Sequence, residues 1–459
     1  MTMRFCYYII PSMQKAKEQI KLGDHFNYKR LLRFTLPSIV MMVFTSIYGV
    51  VDGFFISNFA GKTAFAGINF IMPYVMIIYG AGFMIGAGGS ALTGKLLGEN
   101  KKEEANKVFS MMVYFTLFLG CALGVVGVFT AKPMAIFLGA TDAIIDDAVV
   151  YGRIMFAFTP AYMLQALFQS FLVTAEKPRA GLFVTVAAGV TNIVLDATFI
   201  ALFKWGIVGA AVASGIGQIV GACLPLIYFL GKKECSLKLV KTGLKFKPLF
   251  NAVTNGSSEL LTNISSSVVG MLFNYQLLKF LGENGVAAYG TIMYVQFIFN
   301  AVFIGYSIGV APIISYNYGA ENHEETKNVL KKSIFLMGLS GVAACVIALL
   351  LSSPLSKLYV GYDKELYDLT VYAFRIYAFA FVLNGFNIFM SSFFTALNDG
   401  LVSAIISFMR TLVFQILFIM TIPIALGSDG LWASVVFAEI AAFFVSAGFL
   451  IGMKKKYKY

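Results

Sequence analysis

The sequence predicts an all-α integral membrane protein whose twelve transmembrane helices form two six-helix lobes, related by a pseudo-two-fold axis along the membrane normal. Three observations carry that expectation. Hydrophobic residues make up 59% of the 459 and charged residues only 13%, with a mean hydropathy of +0.79, too little polar side chain to cover a soluble globule of this size. Apolar runs longer than the roughly 20 residues that cross a bilayer recur along the whole length, leaving no room for a separate soluble domain. The chain is also written twice at an offset of 221 residues, with identities at Gly61/Gly282, Gly88/Gly309, Gly98/Gly319, Glu103/Glu324, Glu104/Glu325, Tyr151/Tyr372, Ser170/Ser391, Thr174/Thr395, Gly206/Gly427 and Gly209/Gly430. Apolar matches are expected by chance in so hydrophobic a chain; glycine and glutamate matches are not. Duplicated membrane domains are a common plan for transporters.

Each element follows from its own stretch. Residues 1–33 form a cytoplasmic N-terminal segment, and the N-lobe covers 34–230. α1 (34–58) carries Pro37 and Asp52, and α2 (64–93) carries Pro73 with Gly80, Gly82, Gly86, Gly88 and Gly89, spacings that let helices meet backbone to backbone. α3 spans 108–131, α4 148–174 with Pro160, α5 181–203 with Asn192 and Asp196, and α6 207–230 with Ser214 and Gln218. The Lys-rich stretch 231–249 has no apolar period strong enough for core and reads as a cytoplasmic linker with room for a short surface helix. The C-lobe (250–453) repeats the pattern as α7 (250–278), α8 (285–316) with Gly305, Gly309 and Pro312, α9 (329–353), α10 (366–397), α11 (401–426) with Arg410 and Pro423, and α12 (430–453) with Glu439. Residues 454–459 are a basic cytoplasmic tail. Each internal proline removes a backbone donor and is a site for a bend. Because each copy has an even number of spans, both enter and leave on the same side, which sets the axis along the membrane normal.

A net charge of +12 would suggest nucleic acid in a soluble protein, but here the distribution explains it. Of 35 Lys and Arg, 26 fall on the segments of one face, six on the other, and Arg153, Arg375 and Arg410 within helices. The positive-inside rule places both termini in the cytoplasm of a plasma (inner) membrane protein. Nucleic acid is not an expected partner; membrane lipids are, and Lys454 to Lys458 could meet acidic headgroups. Cys6, Cys121, Cys223, Cys235 and Cys345 show no paired spacing, so neither a disulfide frame nor a structural metal is indicated. His25 and His323 read as solvated side chains. The apolar patch Phe5 to Ile10 lacks the length and cleavage site of a signal peptide, and a start at Met13 would leave it out.

The intramembrane charges carry the functional reading. A carboxylate near the centre of a membrane helix costs about 2.5–3.5 kcal/mol, so each needs a reason. Counted from the outer helix ends at about 1.5 Å per residue, Asp52 lies about 9 Å deep, and Asp196 and Ser214 about 10 Å. Asn192 is one turn before Asp196, on the same helix face. Two carboxylates, an amide and a hydroxyl at one depth suit a hard cation or a proton; the competing reading has each aspartate capping or bonding locally. In the C-lobe, Glu259, Arg410 and Glu439 fall about 14 Å from helix ends, near midplane. Arg410 is expected to pair with one or both glutamates as a structural bridge between helices, the alternative being a second coupling or substrate site. Gln218 occupies in α6 the repeat position that Glu439 occupies in α12. Arg153 and Arg375 lie nearer helix ends and can snorkel.

Several stretches resemble the MATE (multidrug and toxic compound extrusion) family: Leu36-Pro37 with Ile47-Tyr48-Gly49-Val50-Val51-Asp52, Gly88-Gly89-Ser90 through Gly98, Asn192-Ile193-Val194-Leu195-Asp196, Gly206-Ile207-Val208-Gly209-Ala210-Ala211, and Gly309-Val310-Ala311-Pro312 with Tyr316-Asn317-Tyr318-Gly319-Ala320. The resemblance runs from about Leu31 to Met453 and implies a secondary transporter that exports organic, often cationic, compounds by antiport with protons or sodium ions. It implies that the coupling ion sits at Asp52, Asn192 and Asp196, with Ser214 where a threonine is often found. Glu259 lacks the nearby proline of the family's helix 7 acid, so no role is transferred to it. Forty-five Phe, 23 Tyr and 20 Met would suit a cleft for varied organic cations, although most must face lipid or fill helix contacts. The family implies no cofactor beyond the coupling ion. Two complete lobes can form a cleft as a monomer. The alternative within the wider superfamily is a flippase for a lipid-linked saccharide, which needs several basic residues in its cleft. An enzyme would need a nucleophile, metal or acid–base constellation, and none is visible; nor is a phosphate-binding loop for ATP.

Overall fold

The computed structural model of the chain describes residues 20–142, 144–231 and 235–459; Cys6, the Phe5–Ile10 patch and Met13 lie outside the described residues. Helices account for the architecture, and among the described residues there is no strand. α1 runs Tyr28–Ala60, α2 Lys62–Gly98, α3 Lys102–Phe137, α5 Pro178–Leu202 and α6 Gly206–Gly231. α4 consists of Ile145–Ala157 and Thr159–Thr174, bent by 57° beside Pro160. The stretch Ser257–Gly319 is broken at Gly282, φ 63°, into α7 (257–281) and α8 (283–319). Gly400–Gly452 is likewise broken at Gly427, φ 58°, into α11 (400–426) and α12 (428–452). With α9 (His323–Val360) and α10 (Lys364–Ala396) this completes twelve spans in two lobes, the chain of a multi-pass membrane protein.

The repeat has a geometric cause. Gly61 and Gly206 also have positive φ, 99° and 55°, so the pairs Gly61/Gly282 and Gly206/Gly427 are the left-handed residues that turn each tight hairpin, a conformation costly for any residue with a Cβ. Gly98 and Gly319 meet across the pseudo-two-fold: a Cβ on Gly98 would strike the Tyr316 carbonyl, and one on Gly319 the Lys95 carbonyl. Gly305 and Gly309 of α8 lie close against the backbone of Ile39 and Thr35 of α1. The lobes therefore close against each other on the face that carries the linker and both chain ends, here the terminal face.

Several helices run past their expected ends, α3 and α9 by six or seven residues at each end, whereas α7 starts late. α7 begins at Ser257, not at 250, because Gly256 ends a separate linker helix, Phe246–Asn255. That helix buries Leu249 and Ala252 and leaves Phe246 and Phe250 exposed. Gly256 packs on the Met84 backbone of α2, where a Cβ has no space.

Three apolar clusters form the cores, two inside the N-lobe and one inside the C-lobe. The C-lobe cluster takes in Leu22, Phe26, Leu31 and Phe34 from the chain start. Residues 20–27 strap the lobes together at the terminal face. Leu22 N donates to Glu176 (2.8 Å) in the N-lobe, while Phe26 N donates to Glu325 (2.9 Å) and Asn317 donates to Leu22 O (3.1 Å) in the C-lobe. His25, largely exposed, faces Glu325 at 2.7 Å. The tail packs back as well, with Tyr457 and Lys456 on Asp399.

Candidate functional site

Asp52 and Asp196 come together where α1 and α5 change pitch. α1 switches to a π turn over Ile56–Ala60, and the Ile56 amide still bonds the Asp52 carbonyl. α5 switches directly after Asp196, over Ala197–Leu202. Such π turns cluster at functional sites because the extra residue redirects side chains. Close approach of the helices is allowed by Gly189 of α5, which lies against Phe44 and Tyr48 of α1, and by Gly217 of α6, which lies against Asn192.

The two carboxyl groups are near enough to interact directly. Asp196 and Asn192 are buried, Asp52 and Ser214 half-buried. Asn192 donates to Ser214 Oγ at 3.3 Å. Four buried oxygens at this point, Asp52 Oδ1, Asn192 Oδ1 and both of Asp196, have no hydrogen-bond partner. A buried acceptor without a donor is costly, and four of them in one enclosure call for a proton or a small hard cation. All are oxygen donors, as a sodium ion requires. The four positions expected from sequence are thus gathered in one place.

Sequence reading missed the tyrosines around them. Tyr48, one turn before Asp52, and the buried Tyr151 of α4 lie within electrostatic reach of Asp52. Tyr79 donates to the Met155 carbonyl (3.0 Å) and stacks on Tyr162 at 3.8 Å. Only the Tyr48–Asp52 spacing could have signalled any of this. Gln218 sits one turn beyond Ser214 on α6, near Tyr79.

The C-lobe charges resolve differently. Arg410 Nε donates to Glu439 at 3.0 and 3.1 Å, and its Nη2 donates to Asn384. Asn387 donates to Glu439 Oε2 (2.7 Å) and Asn384 to Asn300 (2.7 Å), so α8, α10, α11 and α12 are tied into one network. Two residues expected in this group are elsewhere. Gln218 belongs to the other lobe. Glu259 forms no ion pair among the described residues, because the break at Gly256 puts it about 3 Å from the start of α7 rather than at midplane. Arg153 and Arg375 are exposed. Among the described residues no three His, Cys, Asp or Glu side chains are grouped to hold a metal.

A two-lobed bundle of twelve membrane spans with carboxylates buried inside one lobe defines a polytopic membrane transporter. The profile of the MatE family matches twice, over residues 37–198 and 260–421, once in each copy of the repeat, and the chain belongs to that family. It is 24% identical over 398 residues to the multidrug export protein MepA of Staphylococcus saprophyticus, covering 86% of this chain and 87% of that protein. Among solved structures, a crystal structure of MATE in complex with MaL6 superimposes with a TM-score of 0.90 at 21% identity, over 96% of this chain and 100% of the other. An outward-facing multidrug resistance MATE family transporter of the MOP superfamily gives 0.90 at 20% identity, over 97% and 100%. These structures share the fold.

Proposed function

We propose that the protein is a secondary active transporter that exports organic, often cationic, compounds by antiport with protons or sodium ions, its two lobes opening alternately to each side. The observation that carries this reading is the enclosure of four unpartnered oxygens at Asp52, Asn192 and Asp196. Two carboxylates this close repel when both are ionised; uptake of a proton or a sodium ion relieves that repulsion and lets α1 and α5 close up at their π turns. α1 carries the change onward, because its terminal half packs on α8 of the opposite lobe at Gly305 and Gly309. The name of the staphylococcal relative, a multidrug export protein, supports the direction and substrate class. The Lys/Arg asymmetry supports a plasma membrane protein with both termini cytoplasmic, so the terminal face is the cytoplasmic one. Two complete lobes support a working monomer that needs no cofactor besides the coupling ion. Arg410, half-buried inside a C-lobe span, spends its charge on Glu439, which argues for cation handling over flipping of an anionic lipid-linked saccharide.

The test is ethidium efflux from energised cells or inverted vesicles, with proton and sodium gradients collapsed separately, for wild type, Asp52→Asn and Asp196→Asn. Gradient-dependent efflux that falls about tenfold or more in both variants at equal expression is expected, and the gradient that matters names the ion. Well-folded wild type that moves no cationic dye overturns the proposal.

A further inference from the structure

At the terminal face a cleft of about 640 Å³ opens across the seam between the lobes. Lys95 of α2 enters it from the N-lobe, Asn398 from the α10–α11 turn and Leu401 from the start of α11 in the C-lobe, and Phe250, Asn251 and Asn255 from the linker helix. Its polarity is divided. Phe250 and Leu401 are 68% and 72% exposed, and Phe246, one turn before Phe250, is 86% exposed. Exposed phenylalanines on a helix that follows the exposed Lys245 and carries the exposed Lys247 in its first turn are the mark of an interfacial helix.

The interior is polar and incompletely satisfied. Asn255 is 4% exposed; its amide nitrogen donates to the Thr395 carbonyl at 2.9 Å, while its Oδ1 has no donor. Lys95 is held only loosely, 3.9 Å from Glu99 and 5.4 Å from the centre of the Tyr318 ring. A buried acceptor that lacks a donor, a cation with donors to spare and an apolar lip are complementary to an amphiphile with a phosphate and a free hydroxyl.

We propose that this cleft binds an anionic glycerophospholipid with a hydroxylated headgroup, drawn from the leaflet at the terminal face. The phosphate meets Lys95, a headgroup hydroxyl donates to Asn255 Oδ1, and the acyl chains run over Phe250 and Leu401. The basic character of the terminal-face segments, to which the linker contributes Lys238 and Lys241 and the tail Lys454 and Lys455, favours this occupant over a zwitterionic lipid. Because both lobes line the cleft, the lipid bridges the seam and favours the state closed at this face.

The test uses the full-length protein in nanodiscs of phosphatidylcholine, with or without one third phosphatidylglycerol. Native mass spectrometry and thermal unfolding are the readouts, and soluble sn-glycerol 3-phosphate is the headgroup-only control. The expected result is one retained phosphatidylglycerol and a rise in Tm of a few degrees, with retention about tenfold weaker in Lys95→Gln and in Phe250→Asp, restored in Lys95→Arg, and no shift with glycerol phosphate. Equal retention of both lipids by wild type, a comparison that needs no variant, overturns the proposal. So does unchanged retention in Lys95→Gln. Stabilisation by glycerol phosphate alone assigns the cleft to a soluble phosphate and overturns the lipid.

Discussion

Asp196 and Glu439 face the same problem, a carboxylate with no water to solvate it, and meet it in opposite ways. Glu439 is 5% exposed on its side chain and has Arg410 and Asn387; Asp196 is fully buried and has only the neighbouring Asp52 and an asparagine turned to Ser214. A pair whose charges cancel is scaffolding, and removing one partner strands the other. Arg410→Met should therefore destabilise the protein by about 3–5 kcal/mol, whereas the double change with Glu439→Met recovers most of the loss. Thermal unfolding in detergent checks this, and a double variant no better than the single would refute it. The single-residue signals were the ones open to sequence reading. A charge inside an apolar run stands out locally, so helix depth and the one-turn spacing were enough to group Asp52, Asn192, Asp196 and Ser214. Tyr48, Tyr151 and Tyr79 escaped because a tyrosine in such a run reads equally well as packing, and Glu259 was misplaced because one glycine, Gly256, moves the start of its helix.

Among elements, the ones that escaped sequence reading are those that break periodicity. A π turn has no composition of its own, so the turns after Asp52 and Asp196 left no trace, while the hairpin glycines did because they recur at the repeat offset. The C-terminal tail is the element most open to pH. Partial burial pushes the Asp399 carboxyl up, but hydrogen bonds from Tyr457, Lys456 and the Val402 amide outweigh this and leave it below the usual carboxylate range. A detached Asp takes up its proton near about 3.9. The docked form therefore gains stability that is fully present above that value and is lost only as pH falls through the lower, docked pKa. Hydrogen exchange of residues 454–459 should stay slow, after correction for intrinsic rates, from neutral pH down to about 4, and should rise below it. Asp399→Asn should expose the tail at every pH. Release of the wild-type tail already at mildly acidic pH would contradict this docking.

For the whole molecule the duplication keeps the helix order and the hairpin glycines but is broken in chemistry. The repeat partners of Asp52, Asn192, Asp196 and Ser214 are Phe273, Val413, Leu417 and Val435, so one lobe carries the carboxylate site and the other carries the ion pair. A single site can act on both lobes only through elements that touch both, and α1 and α2 do so along α8. A Cβ on Gly94 of α2 would lie 3.3 Å from the Ser315 Cβ of α8, slightly inside the roughly 3.5–4.5 Å of a disulfide. In a background without the five native cysteines, Gly94→Cys with Ser315→Cys should cross-link on oxidation and hold the terminal face shut. If transport requires the lobes to part there, ethidium efflux stops on oxidation and returns with reductant. Complete cross-linking with undiminished efflux would mean that substrate passes without separation of α2 from α8, and the rocking of two rigid lobes would have to give way to bending of α1 alone.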